Sequence, residues 1–154
     1  MNHIDEVLLR LSKRARHGVF PLEGCTQAEI DELTQFAGRP LPDAYVKFLQ
    51  LAGRNSDTIT RGSDAYYPII FELRQWAINI LTEANCPYTL PHDMFVFSMH
   101  QGYEFCSFLL NGNADPAVFQ FVYSINDAEG PTLQWPTFSH YIDELLSHSE
   151  AALF

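Results

Sequence analysis

Residues 24–53 read GCTQAEIDELTQFAGRPLPDAYVKFLQLAG, and this stretch predicts two short helices joined by a tight turn. Thr26 and Glu29 have the spacing of a capping box, in which each side chain accepts a hydrogen bond from the backbone N–H of the other residue. Gly38 provides a left-handed stop for the first helix, and Pro42 lies where a helix tolerates proline, in its first turn. The second helix carries an apolar stripe and ends at a glycine: Tyr45, Phe48, Leu49, Ala52 and Gly53.

This stretch resembles the SUKH superfamily, which is related to the fungal Smi/Knr regulators of cell-wall synthesis. The resemblance continues into a late aromatic-rich β region and a closing helix that begins near Phe138, so it covers most of the chain. The motif describes a fold and contains no active site. It consists of a polar helix opening with Glu29-Ile30, the turn Leu41-Pro42-x-x-Tyr45, the stripe Phe48-Leu49 and the stop at Gly53.

Bacterial members of this superfamily serve largely as immunity proteins against secreted polymorphic toxins. The resemblance therefore implies a protein without enzymatic activity, catalytic residues or cofactor, which binds a cognate toxin domain, often a nuclease, and blocks it. The first alternative is the same fold used as a regulatory or scaffold module of the Smi/Knr type, unconnected with toxins. A second alternative is an enzyme whose site is assembled from distant residues, for instance around His92-Asp93 and His100.

The remaining sequence predicts further helices around a β-meander. Apolar residues recur at helical spacing in residues 4–11, 73–84 and 138–146, which predicts three more amphipathic helices. Residues 67–70 fit either a short edge strand or the lead into the helix after them, because Pro68 argues against a central strand. Three aromatic-rich segments predict antiparallel strands joined by short links, and they cover residues 94–99, 103–110 and 117–124.

The expected architecture is an α+β domain in which N-terminal helices pack on an antiparallel sheet and a C-terminal helix follows. Residues 1–154 are expected to form a single domain, since this length supports one core and contains no internal repeat or low-complexity segment. Gln120 and the aromatic residues of its strand alternate, which predicts a sheet covered by helices on one side and more open on the other. Segments 53–66 and 126–136 are rich in turn residues and are expected to be loops.

The charge of the chain is strongly asymmetric. Its formal net charge is −10, and all nine Lys and Arg residues lie at or before Arg74. Residues 75–154 carry nine acidic residues and no Lys or Arg, so their formal charge is −9. This sign excludes a nucleic-acid binder and disfavours an anionic membrane surface. An acidic face would steer a toxin or another basic protein domain towards the chain, although acidity also serves solubility alone.

The sequence carries no sign of export or of a disulfide framework. Its N-terminus lacks the basic start and apolar block of a signal peptide, and no apolar run approaches the roughly 20 residues that a membrane helix needs. We therefore expect a cytoplasmic protein. Cys25, Cys86 and Cys106 are isolated from one another and form no Cys-x-x-Cys pair, which indicates reduced thiols and no zinc site.

No residue pattern in the chain predicts catalysis or metal binding. His140, Glu144 and His148 are spaced four residues apart on one face of the last helix, which allows a metal site or a solvated face. We prefer the solvated face, because the sequence identifies no facing ligands. Cys106 lies within an aromatic strand with no basic group near it, which favours an inert thiol over a nucleophile.

The candidate partner-binding surface lies in the acidic C-terminal half. Segment 126–136 combines two acidic residues with a tryptophan between prolines, and interface hot spots are enriched in tryptophan. A buried packing role for this tryptophan is an equal alternative. A Tyr-Glu pair opens the second strand directly after a glycine turn, where edge residues tend to be accessible. The predicted partner-binding residues are Tyr103, Glu104, Asp115, Asp127, Glu129 and Trp135.

Overall fold

The computed structural model describes residues 2–15, 22–56, 59–60 and 62–151. These residues form five helices and five strands, with helices before the sheet and one after it, which confirms the predicted α+β fold. The elements in chain order are α1 (His3–Ala15), α2 (Gln27–Ala37), α3 (Asp43–Ala52), β1 (Ser63–Asp64), α4 (Ile70–Glu83), β2 (Met94–His100), β3 (Glu104–Leu109), β4 (Val118–Val122), β5 (Thr132–Trp135) and α5 (Phe138–Ala151).

The stretch from α2 to α3 folds as its sequence predicts. The Thr26 hydroxyl accepts from the Glu29 N–H at 3.2 Å, and the Glu29 carboxylate accepts from the Thr26 N–H at 2.9 Å. Gly38 closes α2 in the left-handed conformation, with φ of 74°. Gly53 closes α3 with a right-handed φ of −65°. Glycine is required there for space, because a Cβ atom would overlap the Cys25 sulfur.

The sheet is an antiparallel meander with the strand order β1-β2-β3-β4-β5. Its three central strands lie where the sequence predicts them, but β1 and β5 occupy parts of segments 53–66 and 126–136, which were expected to be loops. β1 pairs only two residues with β2, so it is too short to show an alternating pattern. β5 lies between prolines, which are typical of loops. Residues 57, 58 and 61 of the first segment lie outside the described residues. Segment 67–70 leads into α4, so the edge-strand alternative is wrong.

Helices cover both faces of the sheet, which corrects the prediction of one open side. The apolar stripe of α4 packs against the sheet face that carries Phe105 and Phe121. Side chains of α1, α2, α3 and α5 pack against the opposite face, around Tyr45, Phe108 and Phe138. The prediction failed because the α4 stripe needs an apolar surface of its own, and the aromatic face of β3 and β4 supplies it.

An ion-pair cluster holds the first helix against the last. Arg10 donates from Nη1 to Asp143 at 2.6 Å and from Nη2 to Glu150 at 3.3 Å. The Arg10 guanidinium lowers the pKa of the Asp143 carboxyl below its ordinary value.

Thr137 caps α5, because its hydroxyl accepts from the His140 N–H at 3.0 Å. In the described part of the chain, none of the helices has the length and apolar character that a bilayer span requires.

Candidate functional site

The candidate site is a cleft of about 300 Å³ between the sheet and the middle of α5, which we call the α5 cleft. All five strands and α5 contribute side chains to its lining. Tyr103, Glu104 and Trp135, three of the predicted partner-binding residues, line it together. Concave sites with a few convergent polar groups are the usual places for ligand recognition.

A β-bulge in β2 places polar side chains on the floor of the cleft. Val96 and Ser98 pair with adjacent residues of β3, so Phe97 between them is an extra residue. The extra residue reverses the alternation of β2, and Ser98 therefore lines the α5 cleft, whereas Met99 packs in the core beside α4. A regular strand would turn Ser98 towards α4 and Met99 towards α5.

A polar rung crosses the floor on three strands. Ser98 pairs with Cys106, and Cys106 pairs with Gln120. Gln120 Nε2 donates to Glu104 Oε1 at 2.6 Å, which positions the carboxylate at the rim of the cleft. Burial raises the pKa of the Cys106 thiol, so this thiol stays protonated at neutral pH. A protonated thiol is a poor nucleophile, which supports the interpretation of Cys106 as inert.

Trp135 joins the sheet to α5, and it lies on β5 instead of in the expected loop. Its ring contacts Tyr141 edge to face, with ring centroids 4.9 Å apart, and its Nε1–H donates to the carboxylate of Glu144. The side chain is half-buried: it packs against the helical core and also lines the α5 cleft. The two alternatives for this residue, packing and accessible surface, therefore apply to different parts of one side chain.

Tyr103 and Glu104 lie at the rim of the cleft. Tyr103 is 41% exposed, and its ring lies edge to face with the ring of His100, at a centroid distance of 5.7 Å. The Ser63 hydroxyl and His100 Nδ1 share a hydrogen bond of 2.8 Å. The short strand β1 therefore holds one side of this rim in place.

The connection between β4 and β5 continues from the same rim and carries Asp127 and Glu129. The Tyr123 N–H donates to the Tyr103 carbonyl at 2.8 Å, so the connection begins beside the cleft. Asp127 Oδ1 accepts from the Ser124 N–H at 2.7 Å and shapes the turn, and Glu129 is exposed. The connection thus begins beside Tyr103, but it ends on the α4 side, because Gly130 lies against Tyr88 of that core. Neither Asp127 nor Glu129 lines the α5 cleft.

Asp115 lies at the other end of the sheet, in the connection between β3 and β4. Its carboxylate accepts from the Ser139 N–H at 2.9 Å and from the Ser139 hydroxyl at 2.5 Å. These bonds satisfy a free backbone donor in the first turn of α5. Asp115 therefore has a structural partner, and the structure does not bring it together with the other five predicted residues.

The α5 cleft is acidic. Glu104 lies on its sheet wall and Glu144 on its helix wall, and the described residues that line it include no Lys or Arg. His148 Nε2 lies 3.9 Å from Glu144 Oε1. Arg54, one of the bases of the N-terminal half, forms an ion pair with Glu29 outside the cleft.

Several residues of the cleft were not assigned to a site from the sequence. Gln120 is the one that carried a signal, since it is a polar residue in an otherwise apolar strand. Ser63 and Ser98 depend on β1 and on the bulge in β2, which local spacing does not reveal. His100, Glu144 and His148 were considered from the sequence only for an enzyme or a metal site, and not for partner binding.

The histidines form no metal site within the described residues, and His92 and His100 lie apart. No group of three or more His, Cys, Asp or Glu side chains there is placed to hold a metal ion. His140 Nδ1 shares a hydrogen bond of 2.6 Å with the Thr137 hydroxyl. His100 lines the α5 cleft, but His92 lines a separate, mainly apolar cavity of about 340 Å³ between α2, α4 and β2. The site suggested for an enzyme is therefore not brought together.

Comparison with known proteins assigns the chain to a family. The model of the SMI1 / KNR4 family (SUKH-1) matches residues 24–144. This match spans the α2–α3 stretch, the whole sheet and the first half of α5. A search of curated proteins gave no significant match. The family model covers most of the chain and confirms the resemblance seen in the sequence, and the chain therefore belongs to the SMI1 / KNR4 family (SUKH-1).

Proposed function

We propose that this protein is a non-enzymatic immunity protein, which binds the toxic domain of a secreted polymorphic toxin in the cytoplasm and neutralises it. Membership of the SUKH family supports this proposal, because immunity proteins are prominent in that family. The proposed binding surface consists of the α5 cleft together with the adjoining β4–β5 connection. We refer to this region as the acidic end of the sheet.

The observation that carries the proposal is the acidic cleft itself. Glu104 and Glu144 face the same cavity, its described lining includes no Lys or Arg, and Asp127 and Glu129 lie on the connection that follows β4. Toxins that act on nucleic acid need a basic surface to bind phosphate. An acidic concave surface complements such a domain, speeds its association and competes with the nucleic acid for the same basic groups.

The proposal is tested with a candidate toxin domain whose gene lies beside the gene of this protein. The toxin domain is expressed in a bacterial host with and without the full-length protein, and growth and the affinity of the purified pair are measured. We expect rescue of growth and an affinity that falls as salt rises from about 50 to 300 mM, because salt screens the attraction between exposed charges. Toxicity that persists at equal expression, with no complex detected, would refute the immunity function.

Charge-neutralising variants locate the surface. Asp127→Asn combined with Glu129→Gln removes two charges at the acidic end of the sheet, and we expect weaker binding, mainly through a lower association rate. Glu72→Gln combined with Glu83→Gln is the matched control, because both residues lie on α4, which covers the opposite face. Equal loss of affinity in both pairs would show that only net charge matters and would contradict the proposed surface.

A further inference from the structure

We propose that the α5 cleft receives one arginine side chain of the partner, whose guanidinium is held by Glu104 and Glu144 and stacks on the exposed part of Trp135. This inference rests on the proposed function, since it names the group of the partner that enters the cleft. It goes beyond a general attraction between an acidic and a basic surface, because it assigns the cleft a single side chain of defined shape.

The size of the cleft suits one side chain. Its volume of about 300 Å³ lies at the lower limit of ligand pockets, which usually span about 300–1,000 Å³. The floor is closed by buried side chains, since Ser98 is 4% exposed, Cys106 3% and Tyr141 7%. A long, narrow group that enters from the rim therefore has a closed end to fill and two walls to contact.

Both carboxylates of the cleft retain capacity to accept hydrogen bonds. Glu104 accepts from the neutral amide of Gln120 at 2.6 Å, and Glu144 accepts from the neutral indole of Trp135. Each carboxylate has about four acceptor positions, so one such bond leaves most of them available. Two histidines of the cleft could carry a positive charge: His148 Nε2 lies 3.9 Å from Glu144 Oε1, and His100 pairs with Glu104 across the strands.

The arrangement favours arginine over lysine. A guanidinium presents five N–H donors in a plane and suits more than one carboxylate, and the cleft has one on its sheet wall and one on its helix wall. Its flat face stacks on aromatic rings, and Trp135 and Tyr103 both line the cleft. The ammonium group of lysine is a compact point charge and gains less from two walls and an aromatic face.

The test uses three blocked tripeptides that differ only in the central residue: Gly-Arg-Gly, Gly-Lys-Gly and Gly-citrulline-Gly. The indole N–H signal of Trp135 in the full-length protein is followed by NMR during titration. We expect a saturable shift with the arginine peptide and a dissociation constant near 1 mM, which suits a single side chain. We expect binding at least fivefold weaker for the lysine peptide and no saturable shift for citrulline, which keeps the shape but lacks the charge.

Matched variants identify the groups that bind the peptide. Glu104→Gln and Glu144→Gln each keep the side-chain shape and an acceptor oxygen, and each should weaken binding of the arginine peptide at least fivefold. Glu72→Gln on α4 makes the same charge change away from the cleft and should leave the affinity unchanged within twofold. Equal binding of the arginine and citrulline peptides, unchanged binding by both cleft variants, or no saturable shift up to about 20 mM peptide would overturn the inference.

The outcome separates this inference from the proposed function. A protein that neutralises its toxin but does not bind the arginine peptide keeps the immunity function and loses the arginine pocket. A protein that binds the peptide through Glu104 and Glu144 but neutralises no toxin keeps the pocket and loses the immunity function. The peptide titration requires no knowledge of the toxin, so the two results are independent.

Discussion

Replacing Tyr45 with phenylalanine should stabilise the fold, although this tyrosine belongs to the motif on which the family resemblance rests. Its side chain is 1% exposed and contacts the rings of Phe95, Phe108 and Phe138. Its hydroxyl is buried and has no hydrogen-bond partner in the part of the chain that the structure describes. Burial raises the pKa of Tyr45 far above its ordinary value, which reflects the same apolar surroundings.

The expected gain follows from the cost of the unpaired hydroxyl. A buried polar group without a partner costs about 1–3 kcal/mol, and its removal leaves the aromatic contacts of Tyr45 in place. We expect Tyr45→Phe to raise the free energy of unfolding by about 1 kcal/mol. At a urea dependence of about 2 kcal/mol/M, the midpoint of urea unfolding should rise by about 0.5 M with an unchanged slope.

Tyr141→Phe is the matched control, since Tyr141 is also a buried tyrosine of the same core. Its hydroxyl has a side-chain hydrogen bond with Ser98. Removing it should leave the Ser98 hydroxyl without this partner and lower the free energy of unfolding by about 1 kcal/mol. A fall in the urea midpoint of Tyr45→Phe similar to that of Tyr141→Phe would refute the reasoning, because it would show that the Tyr45 hydroxyl is hydrogen-bonded.

Three further substitutions test contacts that stabilise the fold. Gly53→Ala should lower the free energy of unfolding, measured by urea titration, by about 1–3 kcal/mol, because the added Cβ overlaps the Cys25 sulfur. Adding Cys25→Ala to the same chain should recover part of this loss. If the losses of the two substitutions simply add in the double variant, the proposed overlap is contradicted. Asp115→Ala should cost about 1 kcal/mol in the same titrations, because α5 loses a cap, and an unchanged midpoint would show that the cap contributes nothing. Arg54 lowers the pKa of Glu29, so their contact stabilises the fold above the ordinary glutamate pKa of 4.5 and is lost as pH falls through the lowered value. The stability of Arg54→Met should therefore depend less on pH below pH 4.5 than that of the unchanged protein, as measured by acid unfolding with circular dichroism. Identical acid-unfolding curves for the two proteins would contradict this.

The elements that the sequence predicts well are those fixed by neighbouring residues. The capping box of Thr26 and Glu29 and the left-handed turn at Gly38 depend on atoms within a few residues, so their spacing in the sequence is sufficient evidence. Helical apolar stripes and the alternation of aromatic residues predict helices and strands for the same reason. The α+β class follows from the order of these local elements.

The elements that the sequence does not predict depend on distant partners. The bulge at Phe97 exists because β2 pairs with β3 in a particular register, and no residue of β2 by itself predicts the bulge. β5 becomes a strand because Leu133 pairs with Phe119, although its flanking prolines resemble those of a loop. The floor of the α5 cleft depends on the bulge and its edge depends on β5, so local spacing could place single residues at the surface but could not assemble the cleft.

The structure also explains how an asymmetric sequence becomes an asymmetric surface. Arg10, Lys47 and Arg54 form ion pairs with acidic side chains of the helices, whereas the acidic residues of the α5 cleft lack a described Lys or Arg beside them. Glu104 and Glu144 are therefore available to a positively charged group of a partner. Neutralising either glutamate should weaken binding of a basic partner without lowering the stability of the fold.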